Sequence, residues 1–476
     1  MAKRDVNGTA LERALNAYAR GFQRWLPSPF TIAVVLTVLA AVLAMRQASA
    51  IEVMDAWAQG LWNPGLIRFG FQAMFMLVLG HVLALAPPVL RALHRAIDWI
   101  VLSPHLAPAK VALLSMAMGW LNWGLGLIAG AILVRGVMDR REAEGPSSRL
   151  ANLSLGVLGA AGYTGLLVWH GGLGGSAPLK VAEAGHLASL VPNADWVAEL
   201  PEALTLGQTA LTGWSQTVTW TVVGAVVVTF MWLGRRITGN PDEVLPPVAT
   251  KDEHPVQDVP QQAEGLAERL DRGRLVPVLL GVACLAGAVS WAWNMGPLSD
   301  LAFVTPDWIN MVLLGAALLA HGQVRGLLRA LDEAIAGASG ILLQFPLYFG
   351  IMGMVSGTGL GTWLAESLVG ATSANWLPEA LFLSSGVLNV FVPSGGGQWA
   401  VQGPLVLEAC HALGVPLERG IMAMAFGDEL TNMLQPFWAL PLLGITGLSA
   451  RDILPYTLLV MVVAGTVMLA FLSMWA

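Results

Sequence analysis

The residues best able to do chemistry in this chain are glycines and polar side chains set inside long apolar stretches. The stretch 391–404, FVPSGGGQWAVQGP, places three consecutive glycines and two glutamines between apolar runs. A glycine in a helix interior costs roughly 1 kcal/mol relative to alanine, so a helix that could have continued is interrupted here. In a membrane, unwound backbone is tolerated only where protein or a water-filled cavity satisfies it. We therefore interpret this stretch as a tip that faces a ligand.

The chemistry that such a tip favours is the binding of an anion. Glycines let backbone N–H groups approach an anion closely, and a half-helix that begins there adds the positive end of its dipole. We also expect these glycines to adopt left-handed backbone conformations that a β-branched residue resists. The alternative is a glycine-rich loop outside the membrane, which the apolar sequence on both sides disfavours.

Few cations lie within the apolar runs, so an anion must be met by backbone amides, helix N-termini and neutral side chains, or by a bound cation. The small number of cationic side chains fits a monoanion better than a di- or tricarboxylate. The candidate substrate-binding residues lie at four breaks in the apolar sequence: Asn122, Ser176, Asn389, Ser394, Gly395, Gly396, Gly397, Gln398, Asn432 and Gln435. The alternative for each polar side chain is a hydrogen bond between helices, worth about 0.6 kcal/mol on average.

Two carboxylates, Asp428 and Glu429, precede the last of these breaks. Ionisable residues within a membrane are expensive to bury and are functional hypotheses by default. Asp428 could carry a proton or help to hold sodium, so it is a candidate coupling residue. The alternative is that it caps a half-helix or lies at the outer surface.

The elements that must position these residues are membrane helices. The chain has 476 residues, of which 55% are hydrophobic and 12% charged, and its mean hydropathy is +0.64. Soluble domains carry about 25% charged residues, whereas about 20 apolar residues cross a bilayer as a helix. Apolar runs of about that length recur at 30–45, 66–86, 217–233, 275–293 and 453–472. The composition predicts an all-α polytopic membrane protein, and the net charge of −6 with no basic tail disfavours nucleic acid as a partner.

The order of features along the chain predicts two repeats. Each half contains a helix with a glutamine (Gln72 and Gln344), an interrupted segment with Leu-Asn, a broken helix and a final helix. A single connecting span between the halves gives the second half the opposite orientation across the membrane. The predicted segments are an interfacial amphipathic helix at 1–28, a first repeat at 29–233 with a re-entrant hairpin at 110–136, a linker at 234–274, a connecting helix at 275–306, and a second repeat at 307–476 with a hairpin at 381–404. Inverted repeats with discontinuous helices are typical of secondary transporters.

The distribution of arginine and lysine predicts the orientation. Basic residues at the N-terminus and at both ends of the linker place these regions in the cytoplasm by the positive-inside rule. The acidic stretch 183–202 is then expected outside the cell.

The chain resembles the bacterial short-chain fatty acid transporters of the acetoacetate and butyrate uptake type. The motifs that carry the resemblance are RWLPSPF, WLNWGLGLIAGA, GGSAPL, GILLQFPLYFGIMGM, VPSGGGQWAVQGP and NMLQPFWALPLLGI, which extend over essentially the whole chain. The resemblance implies uptake of small monocarboxylates across the inner membrane, coupled to Na⁺ or H⁺. It also implies kinship with the wider ion-transporter superfamily, whose members are mostly homodimers.

His170 departs from the family pattern, in which glycine is expected at this position. It is a second candidate coupling residue, and the sequence leaves open whether it titrates, binds or packs. Other functions on the same fold are transport of another organic anion and sodium/proton antiport. An intramembrane enzyme is disfavoured, because no Ser/His pair, facing aspartates, zinc signature or nucleotide-binding motif is present in the sequence.

Overall fold

The computed structural model describes residues 29–474 except 193, 241–272, 296–302, 304, 362, 364–366, 368–369, 371 and 394. These residues form α-helices joined by short turns and 3-10 helices, and the β-pairing in this part of the chain is an isolated bridge between Leu153 and Thr238. The predicted N-terminal helix at 1–28 and most of the predicted linker lie outside the described residues.

The first half contains ten α-helices within the described ranges. They are α1 (Pro29–Ala44), α2 (Ala50–Leu61), α3 (Pro64–Ala84), α4 (Pro87–Val101), α5 (Ala107–Leu121), α6 (Trp123–Glu144), α7 (Leu155–Tyr163), α8 (Ser176–Val181), α9 (His186–Leu190) and α10 (Gly213–Arg236). The second half, within the same limits, contains α11 (Leu275–Asn294), α12 (Pro306–His321), α13 (Val324–Gly357), α14 (Leu377–Phe391), α15 (Gly395–Leu413), α16 (Leu417–Thr431), α17 (Pro436–Thr446) and α18 (Ala450–Ser473).

Polar caps determine where several of these helices begin. The Ser49 hydroxyl accepts a hydrogen bond from Glu52 N, and the Glu52 carboxylate accepts from Ser49 N, which closes a capping box at α2. The Asn63 side chain caps α3 by accepting from Leu66 N. Such caps satisfy backbone N–H groups that have no partner inside the helix.

Three helices of the described region are long and apolar enough to cross a membrane, namely α10, α11 and α18. They coincide with the predicted spans at 217–233, 275–293 and 453–472. The count rises to five if two bent helix pairs are each taken as one span. Apolar side chains such as Val228 (63% exposed) and Leu279 (61% exposed) face outward from these helices, as lipid contact requires.

The two predicted hairpins are pairs of packed helices. Helices α5 and α6 meet at Asn122, and α14, which ends at Phe391, packs on α15, which begins at Gly395. The arms of the first hairpin touch through glycines: a Cβ on Gly126 would lie 2.5 Å from Gly119 Cα. Absence of a side chain at this contact allows the two backbones to approach closely.

Both predicted broken helices are discontinuous. Helix α7 ends at Tyr163, a 3-10 turn follows at Thr164–Leu167, and helical structure resumes only at α8. In the second half, α16 is followed by the 3-10 turn Asn432–Leu434 and then by α17.

The buried apolar side chains form two clusters. The larger one joins the hairpins, the broken helices, α10 and α18, and the smaller one joins α1 to α3 with α13. Helices α2 and α4 were not anticipated from the sequence, because each is short and carries polar residues on one face.

Candidate functional site

The tip of the first hairpin is Asn122. Its backbone is extended (φ −161°, ψ 131°), and its Oδ1 accepts a hydrogen bond from Leu125 N at 3.1 Å, which caps α6. The side-chain Nδ2 of Asn122 is buried and has no hydrogen-bond partner among the described residues. A buried donor without a partner is costly, and it is available to a ligand.

The tip of the second hairpin is the N-terminus of α15. Gly395, Gly396 and Gly397 form its first turn. The expectation of left-handed glycines is wrong here, because the glycines with positive φ in the described chain lie elsewhere and these three are helical. The first-turn N–H groups of a helix have no partners within it and carry the positive end of the dipole. Ser394 lies outside the described residues.

A cavity of about 490 Å³ lies between the two tips. Asn122 and Gly396 line it from the hairpins, and Ser176 lines it from the N-terminus of α8. Three of the ten predicted substrate-binding residues are thus brought together from three separate breaks in the sequence. Trp123 also lines this cavity, together with the apolar side chains Met76, Leu179 and Ile309.

The opposite wall of the cavity contains charges that the sequence analysis did not assign to the site. Arg68 of α3 forms an ion pair with Asp307 of α12 at 2.6 Å, and Gln72 donates to the other oxygen of Asp307 at 2.6 Å. The Arg68 side chain is 73% exposed. An arginine within the apolar run 66–86 was the available signal, but its partner is 239 residues away along the chain.

A second ion pair lies on the same cavity. Lys180 Nζ is 2.8 Å from Glu183 Oε1. The two cations and two carboxylates that line the cavity cancel in formal charge.

A buried polar network lies behind the second tip. Asn389 Nδ2 donates to the Asp428 carbonyl at 2.8 Å and to Asn432 Oδ1 at 3.1 Å. Gln435 Nε2 donates to the Asn389 carbonyl. The Tyr163 hydroxyl of the first broken helix donates to the Asn432 and Gln435 carbonyls at 2.9 and 2.8 Å. The structure thus places three predicted site residues in contacts between the two breaks rather than on the cavity.

Both candidate coupling residues meet in this buried region. His170 Nε2 lies 2.6 Å from Asp428 Oδ2, and each side chain is 1% exposed. The neighbouring carboxylate, Glu429, accepts from the His170 backbone N at 2.7 Å. A Cβ on Gly395 would lie 2.9 Å from Asp428 Oδ2 and 3.0 Å from His170 Nε2. The pair therefore sits directly against the tip of the second hairpin.

Gln398 has a different place. Its Nε2 donates to the Ser385 carbonyl at 2.9 Å and to the Ser385 hydroxyl at 2.6 Å, and Gln402 donates to Ser384 Oγ at 2.7 Å. These bonds join the two arms of the second hairpin. Gln398 is fully buried and is not among the residues that line the cavity.

Several buried acceptor oxygens of the candidate residues are unused. Asp428 Oδ1, Asn389 Oδ1 and Gln435 Oε1 have no hydrogen-bond partner within the described chain. Carboxylate and amide oxygens are ligands of hard cations. No group of three or more His, Cys, Asp or Glu residues suited to a metal ion occurs in the described ranges.

The sequence of the chain matches a known family over almost its whole length. The model of the family described as "Short chain fatty acid transporter" matches residues 10–475. The chain belongs to this family. A protein of Escherichia coli (strain K12), named "Putative short-chain fatty acid transporter", is 32% identical over 466 residues and covers 96% of this chain and 98% of its own. A protein of the same name from Haemophilus influenzae (strain ATCC 51907 / DSM 11121 / KW20 / Rd) is 30% identical over 440 residues, with 91% and 93% covered.

Two solved structures are similar to this fold at low identity. The YdaH transporter of Alcanivorax borkumensis has a TM-score of 0.45 at 16% identity and covers 94% of this chain and 98% of its own. The MtrF protein of Neisseria gonorrhoeae has a TM-score of 0.45 at 14% identity, with 98% and 97% covered.

Family membership establishes the class of protein. The chain is a membrane transport protein with a small-molecule substrate, and it is not an enzyme. The motifs FVPSGGGQWAVQGP and NMLQPFWALPLLGI, which carried the resemblance, form the second hairpin tip and the second break.

Proposed function

We propose that the protein is a cation-coupled secondary transporter of small monocarboxylates, such as acetoacetate or butyrate, across the bacterial inner membrane. The observation that carries this proposal is the cavity of about 490 Å³ on which both hairpin tips and the start of α8 meet. Cavities of roughly 300–1,000 Å³ are typical of small-molecule sites. The family membership supports the substrate class.

The carboxylate of the substrate would lie between the two tips. Asn122 Nδ2 supplies a buried, unpartnered donor, and the first turn of α15 supplies backbone N–H groups and the positive end of a dipole. None of these donors carries a full positive charge. They suit a monoanion, because the substrate can leave without breaking a strong ion pair. Trp123 and Met76 on the cavity wall offer an apolar surface to a short alkyl tail.

Alternating access would arise from two repeats of inverted topology. Support comes from reciprocal packing: α8, which follows the first break, packs on α15 of the second hairpin, and α17, which follows the second break, packs on α6 of the first. Such reciprocity is expected when two inverted repeats share one central site. In this arrangement the N-terminus is cytoplasmic, and the protein is a homodimer as its superfamily implies.

Coupling would pass through Asp428 and His170. A fully buried histidine–aspartate pair with a second carboxylate, Glu429, beside it is expensive unless a proton or cation neutralises the excess negative charge. The bound cation, H⁺ on the His170–Asp428 pair or Na⁺ on the unused Asp428 Oδ1, would stabilise the region against which Gly395 packs. Substrate at the tip and cation behind it would therefore favour each other.

Uptake of labelled butyrate into proteoliposomes tests this proposal, with inward Na⁺ and H⁺ gradients imposed separately. We expect accumulation above equilibrium with one of the two gradients and competition by acetoacetate. No accumulation with either gradient, although equilibrium exchange is normal, would overturn the coupling. Competition by unrelated organic anions with no response to short-chain monocarboxylates would overturn the substrate class.

A further inference from the structure

Helix α4 lies across one end of the first hairpin. The segments Pro87–Val101 and Pro104–Leu121 meet at an angle of 112°. If the hairpin arm α5 runs into the membrane, α4 must lie close to the membrane plane. At the corner, Lys110 Nζ donates to the Trp99 carbonyl at 2.6 Å and lies 4.5 Å from the centre of the Trp99 ring. Tryptophan and lysine are typical of the membrane–water interface, so α4 is placed at headgroup depth.

The exposed face of α4 carries two basic side chains without compensation. Arg91 and Arg95 are one helical turn apart, and both are exposed. The acidic residue of the same helix, Asp98, is neutralised by an ion pair with Arg140. Within the described chain, Arg91 and Arg95 have neither an ion pair nor a hydrogen bond. Their positive charge is therefore open to an anion at the membrane surface.

An apolar groove of about 310 Å³ opens beneath this helix. Its walls come from α3, α4 and both arms of the first hairpin, and its lining side chains are all apolar. It extends from Leu93 of α4 to Met118 and Leu125, which flank the tip at Asn122. Along α6, the eight steps from Leu125 to Leu133 span about 12 Å at 1.5 Å per residue. One leaflet of hydrocarbon is about 15 Å deep, so the groove matches an acyl chain in depth.

We propose that this groove binds one acyl chain of an anionic phospholipid whose headgroup lies on Arg91 and Arg95. The groove shares none of its lining residues with the cavity between the hairpin tips. The site is therefore separate from that of the transported substrate. A zwitterionic phospholipid could place a chain in the same groove, but it lacks the net charge that the two arginines favour. Each arginine is expected to contribute roughly fivefold to the affinity for an anionic lipid surface.

Native mass spectrometry and thermal unfolding of the purified, delipidated protein test this proposal. The probes are phosphatidylglycerol and phosphatidylcholine with identical acyl chains. We expect phosphatidylglycerol to bind and to raise the unfolding temperature. The double variant Arg91→Gln/Arg95→Gln should lose roughly 25-fold in phosphatidylglycerol affinity and should then bind both lipids alike. The matched control is Arg325→Gln/Arg329→Gln, an exposed pair with the same spacing on α13, which should bind as wild type.

A second variant tests the position of the acyl chain. Ala129 lines the groove, and Ala129→Phe should weaken binding of both lipids because the larger side chain fills the space. Equal losses in the two arginine pairs would show general charge attraction and overturn the site. Unchanged lipid binding in Ala129→Phe, with normal elution on size exclusion, would overturn the placement of the chain. The arginine variants keep the proposal testable if Ala129→Phe does not fold.

Discussion

At Asp428 the two carboxylate oxygens have different surroundings. Oδ2 lies 2.6 Å from His170 Nε2, whereas Oδ1 is buried without a hydrogen-bond partner among the described residues. A carboxylate half-satisfied in this way is costly in an apolar region. Occupation of the free oxygen by a proton or a cation removes that cost, which is the physical basis of the coupling proposed here.

The variant Asp428→Asn should therefore separate coupling from transport. It keeps the volume and a carbonyl oxygen but removes the charge, so ion-driven accumulation of butyrate should fall by more than tenfold while equilibrium exchange falls less. Proteoliposome uptake and counterflow measure the two processes. Asp139→Asn, which alters a half-exposed surface carboxylate, is the control. Equal loss of accumulation and exchange in Asp428→Asn would indicate a structural role for the carboxylate.

The two first glycines of α15 provide a matched pair. A Cβ on Gly395 would lie 2.8 Å from the Trp169 ring and 2.9 Å from Asp428 Oδ2, whereas a Cβ on Gly396 meets nothing within 4 Å. Overpacking of this kind costs about 1–3 kcal/mol. Gly395→Ala should lower the thermal unfolding temperature and abolish coupled uptake, and Gly396→Ala should unfold as wild type. Similar unfolding temperatures for both variants would contradict the close approach at Gly395.

Asn122 caps α6 and is proposed to bind the substrate, and one substitution can separate these two roles. Asn122→Asp keeps the cap of α6, because aspartate is as good at this position as asparagine. It removes the free Nδ2 donor and adds a negative charge beside the carboxylate site. We expect a wild-type unfolding temperature and butyrate affinity at least tenfold weaker by calorimetry. Asn122→Ala should lose both properties, since the lost cap alone costs about 0.5–2 kcal/mol. Tight binding by Asn122→Asp would remove Asn122 from the site.

At the scale of elements, the second hairpin is attached to the stretch that contains α9. The indole N–H of Trp399 on α15 donates to His186 Nε2 at 2.9 Å. An indole N–H can only donate, so this nitrogen must be unprotonated. Partial burial lowers the pKa of His186 below its usual value of 6.5, while nearby Glu183 raises it and Lys180 lowers it further. The contact therefore depends on a neutral imidazole.

The stability of the folded protein should therefore decrease as pH falls, and part of this decrease should come from protonation of His186. A histidine with a lowered pKa binds more protons when unfolded, so its contribution is present above pH 6.5 and is lost as pH falls below that value. His186→Gln offers an acceptor that does not titrate. We expect the decrease in unfolding temperature between pH 7.5 and 5 to be smaller in this variant than in the wild type. Identical pH profiles would show that the Trp399 contact does not respond to protonation of His186.

The breaks between elements were predictable, but their partners were not. Glycine and asparagine interrupt helices for local reasons, so the tips at Asn122 and Gly395 could be located from the sequence. The sequence did not show which side of each break faces the cavity. In the structure, Asn122, Ser176 and Gly396 line the cavity, whereas Asn389 and its neighbours connect the two breaks.

At the scale of the whole molecule, the site is assembled from contacts between residues far apart in the chain. Arg68 reaches Asp307 across 239 residues, and His170 reaches Asp428 across 258. No local pattern encodes such pairs, so the sequence alone did not place Arg68 on a cavity. The ordered breaks in the two halves did predict discontinuous helices, which the structure contains at Thr164–Leu167 and Asn432–Leu434; the inverted relation of the two halves stays a prediction.

The most direct test of the central site is butyrate binding to a variant in which the cavity is filled. Gly396→Phe adds a ring at the second hairpin tip, where a Cβ meets open space, so the fold should be retained. The matched control is Gly213→Phe, which also begins a helix with open space at its Cβ but does not line the cavity. Calorimetry on monodisperse protein should show no detectable butyrate binding for Gly396→Phe and wild-type affinity for Gly213→Phe. Wild-type affinity for Gly396→Phe would contradict the assignment of the substrate site to the cavity between the hairpin tips.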